Sequence, residues 1–343
     1  MAGSVTIDDV AEKAGVSIKT VSRVVNKEPN VRDKTREKVM EAIKALNYRP
    51  NQSARGLAGR RSYLIGLLYD NPSPNYLANL QAGVLAACQE VSYGLALSPV
   101  SFGDPDLIDS VIAWMRQSAI DGVLLTPPLS DSVELVAAIK AEGVPSVIVS
   151  SVGPGGVPAV VIDEKEASRQ MAMHLIEAGH TVIGFIKGHP DHYASAHRFA
   201  GFEQAMTEAG LKVDPSLVKQ GYFDFDSGKA AGEELINAKN RPTAVFASND
   251  DMAAAAISAA HMKNIQVPTA LSVVGFDDTL LASTVWPHIS TVRQPLQEMA
   301  KVAVELLVSG KFDDPTKIKK SDLRHVLDFE IIERDSSAEY KLN

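Results

Sequence analysis

The sequence predicts a small all-α head followed by an α/β body of two Rossmann-like lobes. Three short amphipathic helices are readable before Pro50, and from Tyr63 onward short apolar runs alternate with amphipathic helices. These runs are too numerous for one ordinary sheet, so we expect two sheets, each with parallel strands. A length of 343 residues allows two or three domains with substantial cores.

Charge is distributed unevenly along the chain. Residues 1–61 hold 13 basic and 7 acidic side chains, a charge of +6, whereas the remainder holds 21 and 35, a charge of −14. A positive head on a negative body is typical of a protein that meets polyphosphate at one end. There is no apolar stretch of membrane-spanning length, residues 1–10 do not read as a secretory signal, and a single Cys88 suits a reducing compartment. We therefore expect a cytoplasmic protein.

Local signals divide the head into helices. The three helices are expected at Ile7–Ala14, from Ser17 to about Asn26, and from about Asp33 to Leu46. Thr6 and Ser17 supply N-caps, Gly15 tolerates the left-handed turn between the first two helices, and Pro50 stops propagation. The residues expected to face inward from the second and third helices are Val21, Val24, Val25, Val39, Ile43 and Leu46.

A helix, a glycine turn and a second helix match the helix-turn-helix, whose second helix enters the major groove of DNA. The exposed side of that helix carries Lys19 and Arg23, which can donate to guanine, and Ile18, which can contact a thymine methyl group. Hydroxyl and amide side chains nearby can bond phosphates. The residues expected at DNA are Thr6, Ser17, Ile18, Lys19, Thr20, Ser22, Arg23, Asn26, Arg32, Thr35, Asn51, Ala54 and Leu57.

The head closely resembles the DNA-binding domain of the lactose/galactose-repressor family of bacterial regulators. The likeness is near-continuous over about sixty residues and includes 34–39, 46–51 and 57–59. It implies that the linker over 51–61 folds into a hinge helix on operator DNA and that Leu57 inserts into the minor groove. Where that family often has a small capping residue before the third helix, this chain has Arg32, to which we assign a phosphate contact.

The body also resembles that family, whose sensor shares its fold with periplasmic sugar-binding proteins. Residues 196–202, 247–253 and 272–278 carry the resemblance, which places Arg198, Asn249 and Asp277 in an effector cleft. By family position Thr126 and Gln294 are further polar contacts, and Ser150 replaces an aspartate of some members. The aromatic side chains expected to cover a sugar ring are Tyr76, Phe223 and Trp286.

The helical pattern of the head, the polar linker and the apolar runs of the body together predict the domain boundaries. We expect a helix-turn-helix domain over 1–50, a hinge over 51–61, an N-terminal lobe over 62–161 with 293–324, and a C-terminal lobe over 162–292 with 325–338.

The expected function is that of a DNA-binding repressor of carbohydrate-utilisation genes, a homodimer on a palindromic operator, released by a sugar and without cofactor or metal. A purine effector is the main alternative.

Two other classes of protein are less consistent with the sequence. An exported solute-binding protein would lack the basic head, and an enzyme is not indicated because neither a GxxxxGK[ST] loop nor a GxSxG elbow occurs. Two narrower alternatives stay open: Arg198 and Asp277 could form a structural ion pair, and Trp286 could simply pack.

A metal site at His189, His192 and His197 is also conceivable from their proximity in the sequence. These histidines lack the i, i+4 spacing and the companion cysteine typical of zinc sites. We therefore interpret them as loop histidines that line the mouth of the effector cleft.

Overall fold

The computed structural model describes residues 5–25, 30–48, 61–310 and 323–340. The chain divides into two compact units, Met1–Tyr63 and Leu64–Asn343, here called the head and the body. Asn26, Asn51, Ala54 and Leu57 lie outside the described residues, so their expected DNA contacts stay predictions.

The head contains the three expected helices. They are α1 (Ile7–Ala14), α2 (Ile18–Val25) and α3 (Asp33–Leu46). Thr6 begins α1 with a reciprocal capping box: its side chain accepts from the amide of Asp9, and the Asp9 carboxylate accepts from the amide of Thr6 at 2.7 Å. Gly15 ends α1 with φ of 65°, a left-handed conformation that suits glycine. Ser17 Oγ accepts from the amide of Thr20, which caps α2 as predicted.

The core of the head is narrower than the sequence suggests. Val21 and Val39 are fully buried, and Ala42 is almost so. Ile43 and Leu46, expected to face inward, are only partly buried, as is Val25 on α2. Val39 and Ala42, three residues apart, form the buried face of α3. Ile43 and Leu46 lie at the edge of that face and are therefore only partly covered.

The body is built from alternating strands and helices. Its helices are α4 (Pro74–Glu90), α5 (Leu107–Ser118), α6 (Val133–Ala141), α7 (Glu164–Glu177), α8 (Tyr193–Glu208), α9 (Phe225–Ile236), α10 (Asp250–Met262), α11 (Leu280–Thr284) and α12 (Leu296–Val308). Its strands are β1 (Leu64–Tyr69), β2 (Gly94–Pro99), β3 (Gly122–Leu125), β4 (Ser146–Val149), β5 (Ala159–Val161), β6 (Ile183–Lys187), β7 (Val218–Gln220), β8 (Ala244–Ala247), β9 (Ser272–Val274), β10 (Thr291–Arg293), β11 (Arg324–Val326) and β12 (Glu330–Ile332).

Two parallel sheets organise the body, as the sequence predicts. The first sheet has the strand order β11-β5-β4-β3-β1-β2, and the second has the order β7-β6-β8-β9. A separate antiparallel pair joins β10 to β12. One continuous apolar cluster contains Leu67 and Leu124 of the first sheet together with Phe185 and Phe246 of the second. The body is therefore one unit built on two sheets.

One expected boundary needs correction. Strand β11 pairs in parallel with β5, from Arg324 opposite Ala159 to Val326 opposite Val161. The first sheet therefore extends through Val326, beyond the expected limit at residue 324. Backbone hydrogen bonding decides this position, since the side chains of the strand are largely polar or exposed. Across the described residues, no helix combines the length and the apolar character needed to cross a membrane.

Candidate functional site

The exposed side of α2 is the candidate DNA-contacting surface of the head. Val21 and Val24 are buried on its inner side, whereas Ile18 is 48% exposed and Lys19 and Arg23 are exposed. This arrangement agrees with the expected side of the helix. The hydroxyls of Ser17 and Thr20 lie 2.9 Å apart and bond each other. The expected phosphate donors thus already hold one another in place at the start of the helix.

Two of the other expected DNA contacts, Thr6 and Arg32, lie at the starts of helices, and Thr6 alone caps its helix with its side chain. Thr6 Oγ1 donates to the carboxylate of Asp9 at 2.9 Å. These hydrogen bonds from Thr6 lower the pKa of Asp9, because they stabilise its charged form. Arg32 occupies the N-cap position of α3 without a side-chain capping bond, as expected for a residue that has no oxygen acceptor.

A narrow cleft in the body contains most of the predicted effector residues. It is lined by Asn71, Ser73, Tyr76, Pro127, Ser150, Glu164, His192, Ala194, Arg198, Phe223, Asn249, Asp277 and Gln294. Most of these residues follow the carboxyl ends of strands from both parallel sheets, where open α/β folds bind ligands, and Gln294 follows β10 of the antiparallel pair. The cleft includes seven of the nine residues expected from the sequence.

Arg198 lies at the centre of an ionic cluster. Its Nε donates to Glu164 Oε2 at 2.7 Å, and its Nη1 donates to the carbonyl of Ser248 at 2.5 Å and lies 3.4 Å from Asp277 Oδ1. The guanidinium also packs 3.6 Å from the centre of the Phe276 ring. Arg198 and Glu164 are both almost fully buried, 4% and 6% exposed. The expected proximity of Arg198 and Asp277 is present, and Glu164 is the closer partner.

Asp277 and Gln294 form the second polar pair of the cleft. Gln294 Nε2 donates to Asp277 Oδ1 at 2.7 Å. Gln294 Oε1 is buried and accepts no hydrogen bond from any described residue. Burial raises the pKa of Asp277 to about 7, although the neighbouring Arg198 charge opposes the shift. The two side chains together present oxygen acceptors to a ligand.

On the side of the first sheet, Tyr76 and Ser150 contribute a hydroxyl pair. Their hydroxyl oxygens lie 2.6 Å apart. Tyr76 is in the first turn of α4, which begins at Pro74 and is capped by Ser73. Burial raises the pKa of the Tyr76 phenol, so it remains a hydrogen-bonding neutral group. Ser150 follows β4 with φ of 66°.

Asn249 and Phe223 line the cleft on the side of the second sheet. Asn249 caps α10 by accepting from the amide of Met252 and donates through Nδ2 to the carbonyl of Phe223 at 2.8 Å. Phe223 has φ of 66°, and Asp277 has φ of 109°. Together with Ser150, three lining residues other than glycine therefore have left-handed backbone conformations. Such strain is typical of functional sites.

Of the three histidines expected to line the mouth of the cleft from a loop, His192 is among its lining residues, whereas His189 and His197 are not, and His197 lies within α8. His192 precedes α8, and its ring lies 5.3 Å from that of Phe223. Burial is the main reason that its pKa is lowered to about 3, so its imidazole is neutral at pH 7. The described residues contain no group of three or more His, Cys, Asp or Glu side chains placed to hold a metal ion.

Two expected effector contacts require correction. Thr126 is completely buried, and its hydroxyl donates to the carbonyl of Leu68; the following residue, Pro127, reaches the cleft instead. Trp286 is 71% exposed, and its ring contacts His288 rather than the cleft. Its position after α11 directs the side chain to the surface.

Sequence reasoning missed five lining residues, of which Glu164 matters most. Asn71, Ser73, Pro127 and Ala194 lie one to five residues from predicted elements or contacts, so a search of neighbouring positions would have found them. Glu164 is the first residue of α7, where an acidic side chain already has a local explanation in the helix dipole. No local signal distinguishes it from an ordinary first-turn glutamate.

Comparison with known proteins relates both units to one family. The family model described as "Bacterial regulatory proteins, lacI family" matches residues 6–51, and that of a "Periplasmic binding protein-like domain" matches residues 172–337. The HTH-type transcriptional regulator DegA of Bacillus subtilis (strain 168) is 37% identical over 297 residues, covering 86% of this chain and 88% of that protein.

Solved structures agree over nearly the whole chain. A complex of the transcriptional regulator CelR with cellobiose has a TM-score of 0.72 and 32% identity and covers 97% of this chain and all of that one. The Lac repressor dimer bound to operator and the anti-inducer ONPF has a TM-score of 0.77 and 27% identity, with 98% and 100% coverage.

Proposed function

The chain belongs to the lacI family of bacterial regulatory proteins and is an HTH-type transcriptional regulator; from that premise we propose that it represses carbohydrate-utilisation genes and is released from its operator by a sugar. It acts as a homodimer on palindromic DNA in the cytoplasm. The observation that best supports a sugar effector is the pair of hydrogen-bond acceptors formed by Gln294 and Asp277 in the cleft of the body.

The head supports the DNA-binding part of this proposal. Helix α2 exposes Ile18, Lys19 and Arg23 while its valines hold it to the core, so it can enter a groove without unfolding the head. A single helix-turn-helix reads one half-site, and a palindromic operator requires two copies related by two-fold symmetry. The similar Lac repressor is a dimer on its operator.

The cleft supports a sugar as effector. Gln294 Oε1 is buried without a donor among the described residues, and the contacts of Asp277 with Gln294 and Arg198 both fall on Oδ1. An unsatisfied buried acceptor costs about 1–3 kcal/mol, which a ligand hydroxyl recovers when it donates to that atom. The Tyr76–Ser150 hydroxyl pair faces the same space and can both donate and accept. The similar CelR forms a complex with cellobiose.

Effector and operator are coupled through the chain that joins the two units. A sugar that binds more tightly to the released form shifts the regulator toward that form, and a coupling of about 1–3 kcal/mol changes operator affinity roughly 5–150-fold. Linkage makes the effect reciprocal, so operator DNA lowers sugar affinity by the same factor.

The effector class is tested by thermal-shift measurements on the full chain with neutral mono- and disaccharides, cellobiose included, and with purine bases. A ligand that binds only the folded protein raises Tm, and we expect this effect from a sugar. The matched variant Gln294→Met should abolish the shift, because it removes the unpaired acceptor at similar volume. Stabilisation by purines alone would replace the sugar with the alternative effector.

The regulatory step is tested with an operator obtained by selecting random duplexes on the full chain. The stabilising sugar should then release the selected duplex, in a titration followed by fluorescence anisotropy. A selected duplex without two-fold symmetry, or one that the sugar does not release, would contradict this part of the proposal.

A further inference from the structure

We propose that Glu164 determines the charge class of the effector: by neutralising Arg198 it restricts the cleft to uncharged ligands and excludes sugars that carry a carboxylate or a phosphate. This inference rests on the proposed function, because it takes the cleft as the effector site. It makes Glu164 a specificity-determining residue.

The guanidinium of Arg198 is already occupied by the protein. Nε and Nη2 donate to the two carboxylate oxygens of Glu164 at 2.7 and 3.3 Å. Nη1 donates to the backbone carbonyl of Ser248 and faces Asp277 Oδ1 at 3.4 Å. All three nitrogens therefore have protein partners. An anionic group that approached Arg198 would have to displace a two-point carboxylate contact that is itself buried.

The charges that line the cleft do not favour an anion. Among the described residues that line the cleft, Arg198 is the only lysine or arginine, and it faces two carboxylates, Glu164 and Asp277. His192 adds no positive charge at pH 7, since burial lowers its pKa to about 3. The cleft is therefore negative when Asp277 is ionised and neutral when Asp277 is protonated. A buried anionic ligand would lack a counter-charge in either state.

The free hydrogen-bonding atoms point to the same class of ligand. Gln294 Oε1, and Asp277 Oδ2 when that carboxylate is ionised, can each accept a hydrogen bond from a ligand. A hydroxyl group donates to such atoms, whereas a carboxylate or an ionised phosphate oxygen only accepts. Charge and hydrogen bonding thus independently favour an uncharged polyol.

The test compares glucose with glucuronate and glucose 6-phosphate, and galactose with galacturonate, at equal ionic strength. Cellobiose is included as a neutral disaccharide. The readouts are Tm and calorimetric affinity for the full-length wild type and for Glu164→Gln, which keeps the shape of the side chain and removes its charge. The matched control is Glu142→Gln, since Glu142 makes the same two-point contact with Arg116 at 2.7 and 2.8 Å on the surface.

We expect the wild type and E142Q to be stabilised only by the neutral sugars of this set. E164Q should gain affinity for an acidic counterpart of the neutral ligand by about tenfold or more, because Arg198 then offers an unneutralised charge. If E164Q does not fold, Glu164→Asn removes the same charge in a shorter side chain and takes its place.

Stabilisation of the wild type by an acidic sugar would overturn the inference while leaving the sugar effector in place. Unchanged selectivity in the folded Glu164 variant would also overturn it and leave Glu164 with a structural role only. If no sugar of either class raised the Tm of the wild type, the proposed effector class would fail, and the inference with it.

Discussion

Ser73 Oγ donates to Asp251 Oδ2 at 2.5 Å, which joins the start of α4 to the first turn of α10. Asn75 Nδ2 donates to the other oxygen of the same carboxylate at 2.8 Å. Helix α4 follows β1 of the first sheet, and α10 follows β8 of the second, so a single carboxylate connects the two sides of the body at the edge of the cleft. Asp131 makes a further contact of this kind, accepting from the amide of Tyr193 at 3.2 Å.

We expect Asp251→Asn to lower the stability of the body. Ser73 and Asn75 donate to different oxygens of Asp251, and asparagine replaces one of these oxygens with an NH2 group, which cannot accept. Hydrogen bonds to charged groups contribute about 1.5–3 kcal/mol, which corresponds to a decrease in Tm of roughly 3–10 °C for a domain of this size. Differential scanning calorimetry measures the change. Asp226→Asn, at an exposed position of α9, is the control and should leave Tm unchanged.

We expect the stability of the body to depend on pH because Asp277 is buried. Burial raises its pKa in the folded protein to about 7, above its ordinary value of 3.8. Its contribution to stability is therefore complete below the unfolded pKa and is lost as pH rises through about 7. The buried His192 has a lowered pKa and acts in the opposite direction, but only as pH falls below its ordinary value of 6.5.

Melting curves between pH 6.5 and 8.5 measure this effect above the range in which His192 acts. The buried Asp250, whose pKa is raised by burial and by the charge of Asp277, contributes in the same direction. We expect the Tm of the wild type to decrease over this range and that of Asp277→Asn to decrease less steeply. Parallel pH profiles for the two proteins would show that Asp277 does not titrate there.

Gly188 allows Phe223 to line the cleft. A Cβ atom at position 188 would lie 2.0 Å from the Phe223 ring, so Gly188→Ala must displace the ring. Overpacking of this kind costs about 1–3 kcal/mol, and we expect weaker sugar binding as well. Differential scanning calorimetry measures the loss of stability, and calorimetric titration with the stabilising sugar measures the loss of affinity. Gly103→Ala is the control, because its Cβ would meet no atom within 4 Å; equal behaviour of the two variants would contradict the prediction.

We expect the substitution Lys19→Ala to weaken DNA binding without unfolding the head. The side chain is exposed on α2, so Lys19→Ala should leave the unfolding of the protein unchanged. A lost charged contact to a base or phosphate should weaken binding to the selected operator by about tenfold, consistent with about 1–3 kcal/mol for a specific base contact. Fluorescence anisotropy at several salt concentrations measures it. Lys263→Ala in the body removes the same charge and should have no effect on operator binding.

The sequence predicted most elements correctly because their signals are local. The boundaries of α1 and α3 agree with the structure, since caps and apolar spacing specify where a helix begins and ends. The apolar runs predicted from the sequence, which begin at residues 63, 94, 122, 146, 159, 181, 244, 272 and 291, all contain strands. The strands that were missed are β7, β11 and β12, each of three residues and partly polar. Such strands exist because a neighbouring backbone pairs with them, and their own side chains do not indicate it.

By itself, the sequence determined that this chain has a basic helix-turn-helix head and a two-sheet α/β body, and it identified seven residues of the cleft. Only the tertiary structure decided that Glu164 pairs with Arg198, that Gln294 Oε1 accepts no hydrogen bond from any described residue, and that Trp286 lies at the surface. The physical reason is distance along the chain. Periodicity and capping act over a few residues, whereas the charge balance of a buried site depends on side chains that folding brings together from separate helices and strands.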